Sequence, residues 1–580
     1  MNKPVRLLRV RSGQTSWPLI ILLVGISLIL MLPGTGVHAE GSAPSPLIIG
    51  RVYDRQSRPV EGAQVTLNAE TDSTPLIQTT TQSDGSYALS LPATIPNPLV
   101  IHIERAHFQE AHIELDTSEI QSLRSGESVV VPDTILPRRI SLAFWIATLI
   151  FIAMLVLIAT GQLHNTLAAL VGAMLIFGVS YLGHPLREDL FIFNFHGGLS
   201  YVDWNVIFLI MGMMIIIAVV EGTGIFQWFA FAAYRVSGGR LWLLLPILML
   251  VTGVASALLD NVTTMLLMTP ITVQIALAMG INPLALLMPE VMASNVVGIS
   301  TLIGTPTNIL IGSYGEISFS DFLVKLTPGV LLSLIGLIIY NEIIYRRDLR
   351  AASEGDISPL LLESLAERAR ITEPGHLKKA GWVGAGMLIL FVFGEQIHLL
   401  PAVTALMGAT VLLVWIRPDI EEMIEAVDWT TLVFFMALFM VVGAIQEVGL
   451  ISFIADGISR LVGDNLLLAM LAITWLSALL STVVANIPFT AAMLPVIGYL
   501  TATVPGAHTK VLFYCLSVGS AMGGNGSLIG ASANMVTAGI AERAGYPITY
   551  VYFLKKGFPA LLITVGLATL WLLLRFLVIG

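Results

Sequence analysis

In an otherwise apolar run, Leu259-Asp260-Asn261-Val262-Thr263-Thr264 sets a carboxylate, an amide and two hydroxyls side by side, and Pro270 follows. A matching place, Ala485-Asn486-Ile487-Pro488-Phe489-Thr490, carries an amide, a hydroxyl and a proline at the break itself. Two longer interruptions accompany them. One runs from Ser294-Asn295 through Gly304-Thr305-Pro306-Thr307-Asn308, the other from Gly519 through Asn525-Gly526-Ser527 to Gly530-Ala531-Ser532-Ala533-Asn534. A helix broken at such a place offers unpaired N–H groups and a partial positive charge to an anion at one half's start. The other half's end offers carbonyl oxygens to Na⁺ or a proton carrier. Amide side chains can serve either purpose, having both donors and an acceptor. The candidate ion-binding residues are therefore Asp260, Asn261, Thr263, Thr264, Ser294, Asn295, Gly304, Thr305, Asn308, Asn486, Thr490, Asn525, Ser527, Gly530, Ser532 and Asn534. Small and hydroxyl residues also glue membrane helices together, and prolines kink them. Their arrangement in two matched pairs favours a site over glue.

Ionisable groups in apolar runs are costly and usually functional. Asp260 sits at a break with apolar residues on either side, and Glu290 follows Pro289 inside a long apolar stretch; these are the candidate proton or cation carriers. Glu221 and Glu447 close equivalent helices, where interfacial capping and function compete as readings. Asp203 and Asp428 each precede a tryptophan at a helix start, which reads as capping with interfacial anchoring. Glu395 and His398 read as interface residues at a helix end. No catalytic residue is expected. HExxH, a Walker loop and a nucleophile elbow are all missing from the sequence, so enzyme chemistry is not supported and any uphill movement must draw on a gradient.

The elements that must hold these residues are membrane helices. The chain has 580 residues, 56% hydrophobic and 12% charged, with a mean hydropathy of +0.84. Soluble domains carry about 25% charged residues. Apolar runs near twenty residues recur from 141 to the end, long enough for a ~30 Å hydrocarbon core. A net charge of −9 argues against nucleic acid as a partner. The single cysteine, Cys515, excludes a disulfide framework and reads as a small buried side chain.

The membrane region is internally repeated. Val202-Asp203-Trp204 recurs as Val427-Asp428-Trp429, Asn261 as Asn486 and Pro270 as Pro495, each pair 225 residues apart. Thr301-Leu302-Ile303-Gly304 returns as Ser527-Leu528-Ile529-Gly530, slipped by one residue. The basic stretch between the copies, with Arg346, Arg347, Arg350, Arg368, Arg370, Lys378 and Lys379, belongs in the cytoplasm by the positive-inside rule. Five crossings plus a re-entrant hairpin per copy would then give the second copy inverted topology.

Residues 1–39 read as a signal peptide or a first membrane helix, with Val37-His38-Ala39 as a cleavage site. Either sends 40–137 to the far side of the membrane. That segment alternates in β fashion, with Asp84-Gly85 as a turn signal between strands. His102, His107 and His112 are spread along it, and no metal-ligand cluster is visible. The expected layout is thus a leader or helix at 1–39, an extracytoplasmic β-sandwich at 40–137, transport repeats at 141–345 and 379–580, and a cytoplasmic linker at 346–378.

The pattern Gly50-x-Val52-x-Asp54, Pro59-Val60-x-Gly62-Ala63-x-Val65 and Asp84-Gly85-x-Tyr87 resembles the carboxypeptidase regulatory-like domain over about 90 residues. From about 141 to 580, Ser256-Ala257-Leu258-Leu259-Asp260-Asn261-Val262-Thr263-Thr264, Ser294-Asn295 with Leu302-Ile303-Gly304, and Asn525 through Asn534 resemble the ion transporter superfamily. The nearest branch contains the melanosomal P protein and the arsenite efflux permeases, with a citrate-transporter-like domain. The resemblance implies an all-α polytopic membrane protein with inverted repeats, re-entrant hairpins, broken helices, an elevator-like shift and a homodimer. Two departures stand out. The hairpin tips of sodium-coupled symporters read Ser-Asn-Thr, whereas here they read Asp260-Asn261-Val262 and Ala485-Asn486-Ile487. The family's Gly-Asp-Pro-Pro-Asn is Gly304-Thr305-Pro306-Thr307-Asn308, without the carboxylate.

The expected activity is gradient-driven transport of small ions, either an inorganic anion or Na⁺ exchanged for H⁺, in a lipid bilayer and without a resident cofactor. Arsenite efflux, a passive anion channel on the same scaffold and a membrane-tethered ligand sensor are the alternatives.

Overall fold

The structure, a computed structural model, describes residues 46–55, 59–69, 75–91, 96, 98–351, 367 and 369–579. The expected leader or first helix at 1–39 and residues 352–366 of the expected linker lie outside the described residues. Two compact units result, one reaching to Arg105 and including Glu110–Leu136, the other made of Ala106–Gln109 and Pro137 onward.

The first unit has two sheets. β1 (Leu47–Asp54) pairs antiparallel with β4 (Ser86–Ser90) and parallel with β7 (Val129–Val130) and β8 (Thr134–Leu136). The other sheet runs β3 (Ile77–Thr80), β2 (Gln64–Asn68), β5 (Val100–Glu104), β6 (Ala111–Glu114), all antiparallel. Strict alternation buries Ile48, Val52, Val65, Leu67, Ile101 and Ile103 between them. Gly85 takes a left-handed φ of 75° in the turn after β3. That turn does not close a hairpin: β3 pairs with β2 and β4 with β1, so the chain changes sheet there. The β5–β6 register sets His102 opposite His112, which corrects the reading of these histidines as dispersed.

The second unit is helical, and its repeats correspond element by element. The first copy comprises α1 (Leu142–Thr160), α2 (Asn165–Gly178), α3 (Trp204–Glu221), α4 (Ile225–Ser237), α5 (Leu241–Leu258), α6 (Asn261–Ala278), α7 (Leu284–Val297), α8 (Pro306–Tyr314) and α9 (Phe319–Ile344). The second comprises α10 (Pro374–Phe393), α11 (Pro401–Ile416), α12 (Trp429–Glu447), α13 (Leu450–Val462), α14 (Leu466–Ser481), α15 (Asn486–Thr503), α16 (Val511–Gly523), α17 (Ser532–Arg543) and α18 (Tyr550–Leu573). Because α10 begins at Pro374, residues 374–378, expected in the linker, belong to the first helix of the second copy, and Lys378 and Lys379 lie on its first turns. Among the described residues, nine helices are long and apolar enough to cross a membrane.

Packing repeats with the sequence. α5 packs on α7 and α14 on α16; α3 packs on α11 of the other copy, and α12 on α2. α6 lies against α17 of the other copy, and α15 against α8. Each copy therefore completes the other, and neither can bury its polar breaks alone. Caps start the helices where the sequence calls for them. Asp203 accepts from the N–H groups of Asn205 and Val206 at 3.0 and 3.3 Å, and Asp428 accepts from Thr431 N–H at 3.2 Å. Cys515 is fully buried in α16.

Candidate ion site

The two hairpin-like turns form for different local reasons. At the first, Leu259 is extended and Asp260 caps α6, accepting from the N–H groups of Val262 and Thr263 at 2.9 Å each and from Thr263 Oγ1 at 2.5 Å. At the second, Ala485 is the cap residue and offers no side-chain acceptor. Pro488 stands in the first turn of α15, where its missing N–H would have no helical partner anyway, so it starts the helix rather than breaking it.

The longer breaks also match. α7 ends at Val297, one turn of 3₁₀ helix covers Gly298–Ser300, and α8 restarts at Pro306 with Thr305 Oγ1 capping Asn308 N–H at 3.2 Å. α16 ends at Gly523, a 3₁₀ turn covers Gly524–Gly526, and α17 restarts at Ser532 behind an uncapping Ala531. Asn308 Nδ2 donates to the carbonyls of Ile299 and Thr301 at 2.9 and 2.8 Å; Asn534 Nδ2 donates to those of Gly524 and Ser527 at 2.8 and 2.9 Å. Each break thus carries an asparagine that satisfies carbonyls freed from the helix.

Each break is pinned to its own hairpin as well. Thr301 Oγ1 donates to Ala257 O, and Ser527 Oγ to Thr482 O. Ser256 Oγ donates to Ser294 O at 3.1 Å, and Ser481 Oγ to Ser520 O at 2.6 Å. Ser294 Oγ returns a bond to Ser256 Oγ at 2.9 Å. A Cβ on Gly304 would lie 2.3 Å from Gly298 O and 2.8 Å from Ser256 O; on Gly530 it would lie 2.9 Å from both Gly524 O and Ser481 O. These glycines permit backbone contact between break and hairpin. Thr264 and Thr490 bond back to Asp260 O and Asn486 O, one turn behind each.

Four asparagines meet across the two copies. Asn261 Nδ2 donates to Asn295 Oδ1 at 3.0 Å, and Asn295 Nδ2 donates to Asn525 Oδ1 and Asn534 Oδ1, each at 3.0 Å. Asn525 Nδ2 reaches Met292 O at 3.3 Å, and Asn308 Oδ1 accepts from Ser517 Oγ at 2.6 Å. Glu290, fully buried, accepts from Thr252 at 2.7 Å and Thr272 at 3.1 Å through Oε1, while Oε2 has no hydrogen-bond partner.

A cavity of about 570 Å³ opens where both hairpin turns and both half-helix starts converge. Asp260, Thr263 and Ser532 line it, together with Pro306, Ala485, Ile487 and Pro488. Asn261 and Asn486 sit beside it, each 4% exposed. The remaining candidates, Thr264, Ser294, Asn295, Gly304, Thr305, Asn308, Thr490, Asn525, Ser527, Gly530 and Asn534, are absent from its wall and support it from behind. Sequence reading left out His164, Thr166, Thr430 and Thr431, which also line it, and favoured capping over a site role for Asp428. Asp428 does both. The Val-Asp-Trp repeat was the available signal for it; His164 carried none. Among the described residues the wall holds Glu221, Asp260 and Asp428 but no lysine or arginine. Glu221 also lines a second cavity of about 530 Å³ with Gln227, Gln274 and Arg370.

Paired broken helices around a cavity that sets a few polar side chains among apolar ones, in a chain with many membrane-length apolar helices, define a multi-pass integral membrane protein of the transporter class. The citrate transporter family's sequence profile matches residues 155–512. An uncharacterized transporter of Mycobacterium tuberculosis is 38% identical over 437 residues, covering 75% of this chain and 99% of that protein. The human P protein is 31% identical over 512 residues, covering 75% of this chain and 60% of its own length. The YdaH transporter of Alcanivorax borkumensis aligns over 74% of this chain and 98% of its own at 13% identity, with a TM-score of 0.45. The chain belongs to the citrate transporter family, and it is a transporter of small-molecule substrates rather than an enzyme.

Proposed function

We propose that this protein is a gradient-driven secondary transporter that carries a small inorganic anion together with a coupled Na⁺ or H⁺. The observation that carries this reading is the unequal capping of four helix starts around one cavity. In the first copy, Asp260 and Thr305 satisfy their own helix N-termini. In the second, Ala485 and Ala531 leave theirs without a side-chain cap, and Ile487 and Ser532 face the cavity. Uncapped N-termini attract an anion. The Asp260 carboxylate in the same wall would repel it unless a cation or proton arrived too, which couples the two movements.

Na⁺/H⁺ exchange alone is the second reading, favoured by three carboxylates and, among the described residues, no lysine or arginine in the wall. The family's description names citrate. A trivalent organic anion would have to be held here without a guanidinium or ammonium partner. Residues 40–137 outside, the basic stretch inside, inverted copies and a homodimer belong to the same proposal.

The test is the protein in liposomes, with charge movement recorded on separate jumps of Na⁺, Cl⁻, citrate and pH. The expected result is an anion-dependent current that requires Na⁺ or a pH gradient. In Asp260→Asn the anion should still bind while coupling disappears. Unchanged coupling in that variant would refute the role of Asp260. Currents with Na⁺ and pH alone would move the assignment to exchange. An anion current reversing at the anion's equilibrium potential would mean a channel, and silence throughout would point to neutral arsenite or electroneutral exchange.

A further inference from the structure

We infer that the β-sandwich unit carries a divalent transition-metal site of the Zn²⁺ type, built from His102, Glu110 and His112. Nothing in the proposed transport chemistry uses these residues. Their meeting follows from strand geometry. His102 and His112 are directly opposed in the β5–β6 register, and Glu110 stands two residues before His112, so period-two alternation puts all three side chains on one face. That face is the outer one, since the neighbours Ile101 and Ile103 are buried in the sandwich core.

The donor atoms are close enough to share an ion. One ligand atom from each residue lies within 4.8 Å of the other two, and His102 Nε2 is 3.6 Å from Glu110 Oε2. Tetrahedral Zn²⁺ with bonds of about 2.0–2.1 Å sets its ligands about 3.4 Å apart. One edge of the tetrahedron is therefore nearly formed, and exposed Glu110 and His112 can close the others by side-chain rotation. The imidazoles already touch, with centroids 4.5 Å apart, edge to face. An aromatic pair alone would explain that contact but not His102 Nε2, a buried atom with no hydrogen-bond partner that points toward the carboxylate. Glu104, two residues after His102 on β5 and exposed, adds negative charge to the same face.

The donor set selects the metal. Two imidazole nitrogens and one carboxylate suit Zn²⁺, Cu²⁺ or Ni²⁺. Ca²⁺ takes 6–8 oxygens and Mg²⁺ an octahedron of oxygens, and neither is offered here. Three protein ligands leave a fourth position for water or an exogenous ligand.

The experiment uses the full chain in detergent, stripped with chelator, and titrated with Zn²⁺ against a chromogenic competitor chelator. One tight equivalent is expected, weakened at least about tenfold by His112→Ala and lost as a tight site in His102→Ala/His112→Ala, with millimolar Ca²⁺ failing to displace it. His112 is exposed, so its replacement leaves the sandwich folded, and His184→Ala serves as a control that leaves the tight equivalent in place. No tight equivalent in the native protein, an equivalent that survives the double variant, or displacement by Ca²⁺ would each overturn the assignment.

Discussion

Asn295→Ala removes a side chain that ties the first copy's hairpin to the second copy's break. It deletes three hydrogen bonds, one accepted from Asn261 and two donated to Asn525 and Asn534. Side-chain bonds between helices of membrane proteins average about 0.6 kcal/mol and reach about 1.7, so the loss should be roughly 2–5 kcal/mol. Water entering from the neighbouring cavity would push it toward the lower end. A double-mutant cycle with Asn534→Ala isolates one of these bonds, because the separate bonds of Asn534 to Gly524 and Ser527 cancel between arms. Reversible unfolding in mixed micelles should give a coupling energy of about 0.6–1.7 kcal/mol, favourable in sign. Additivity within about 0.3 kcal/mol would show that the amide pair is not a bond in the membrane protein, and the account of a network joining the copies would fail.

Other substitutions test other parts. Gly304→Ala, whose Cβ would meet two backbone carbonyls, should cost about 1–3 kcal/mol in the same assay, while Gly566→Ala, with nothing within 4 Å, should cost nothing. Glu290→Gln keeps the Oε1 acceptor for Thr252 and Thr272, so the protein should fold normally yet lose flux driven by a pH gradient; flux that persists would remove Glu290 as a proton carrier. Excising residues 46–136, which hold the sandwich unit together with the short Ala106–Gln109 segment of the other unit, should leave liposome currents intact. Currents that vanish while the remaining helices stay folded would tie the sandwich to transport.

Much of the molecule was legible because local chemistry repeats. Asp203 and Asp428 announce helix starts, since a carboxylate beside free N–H groups satisfies them in any context. The breaks were legible too, because Asp260-Asn261 and Gly523-Gly524-Asn525-Gly526 interrupt runs that are otherwise apolar. Their matched spacing located the cavity without any knowledge of packing.

What sequence could not assign was the task of each polar group at those breaks. Asn308 and Asn534, candidate ligands by sequence, hold carbonyls of their own breaks through their amide nitrogens. Gly304 and Gly530, candidate ion-contacting residues by sequence, let two backbone segments touch. A polar side chain in a low-dielectric interior must bond something, and only the fold decides whether that partner is protein or a passing ion. The same holds for His102 and His112. Their spacing along the chain says little, and only the register of two strands makes them neighbours. Sequence determined where helices start, break and repeat, because those depend on adjacent residues. Tertiary structure decided which polar atoms are left over, because that depends on which helix of the other copy arrives to meet them.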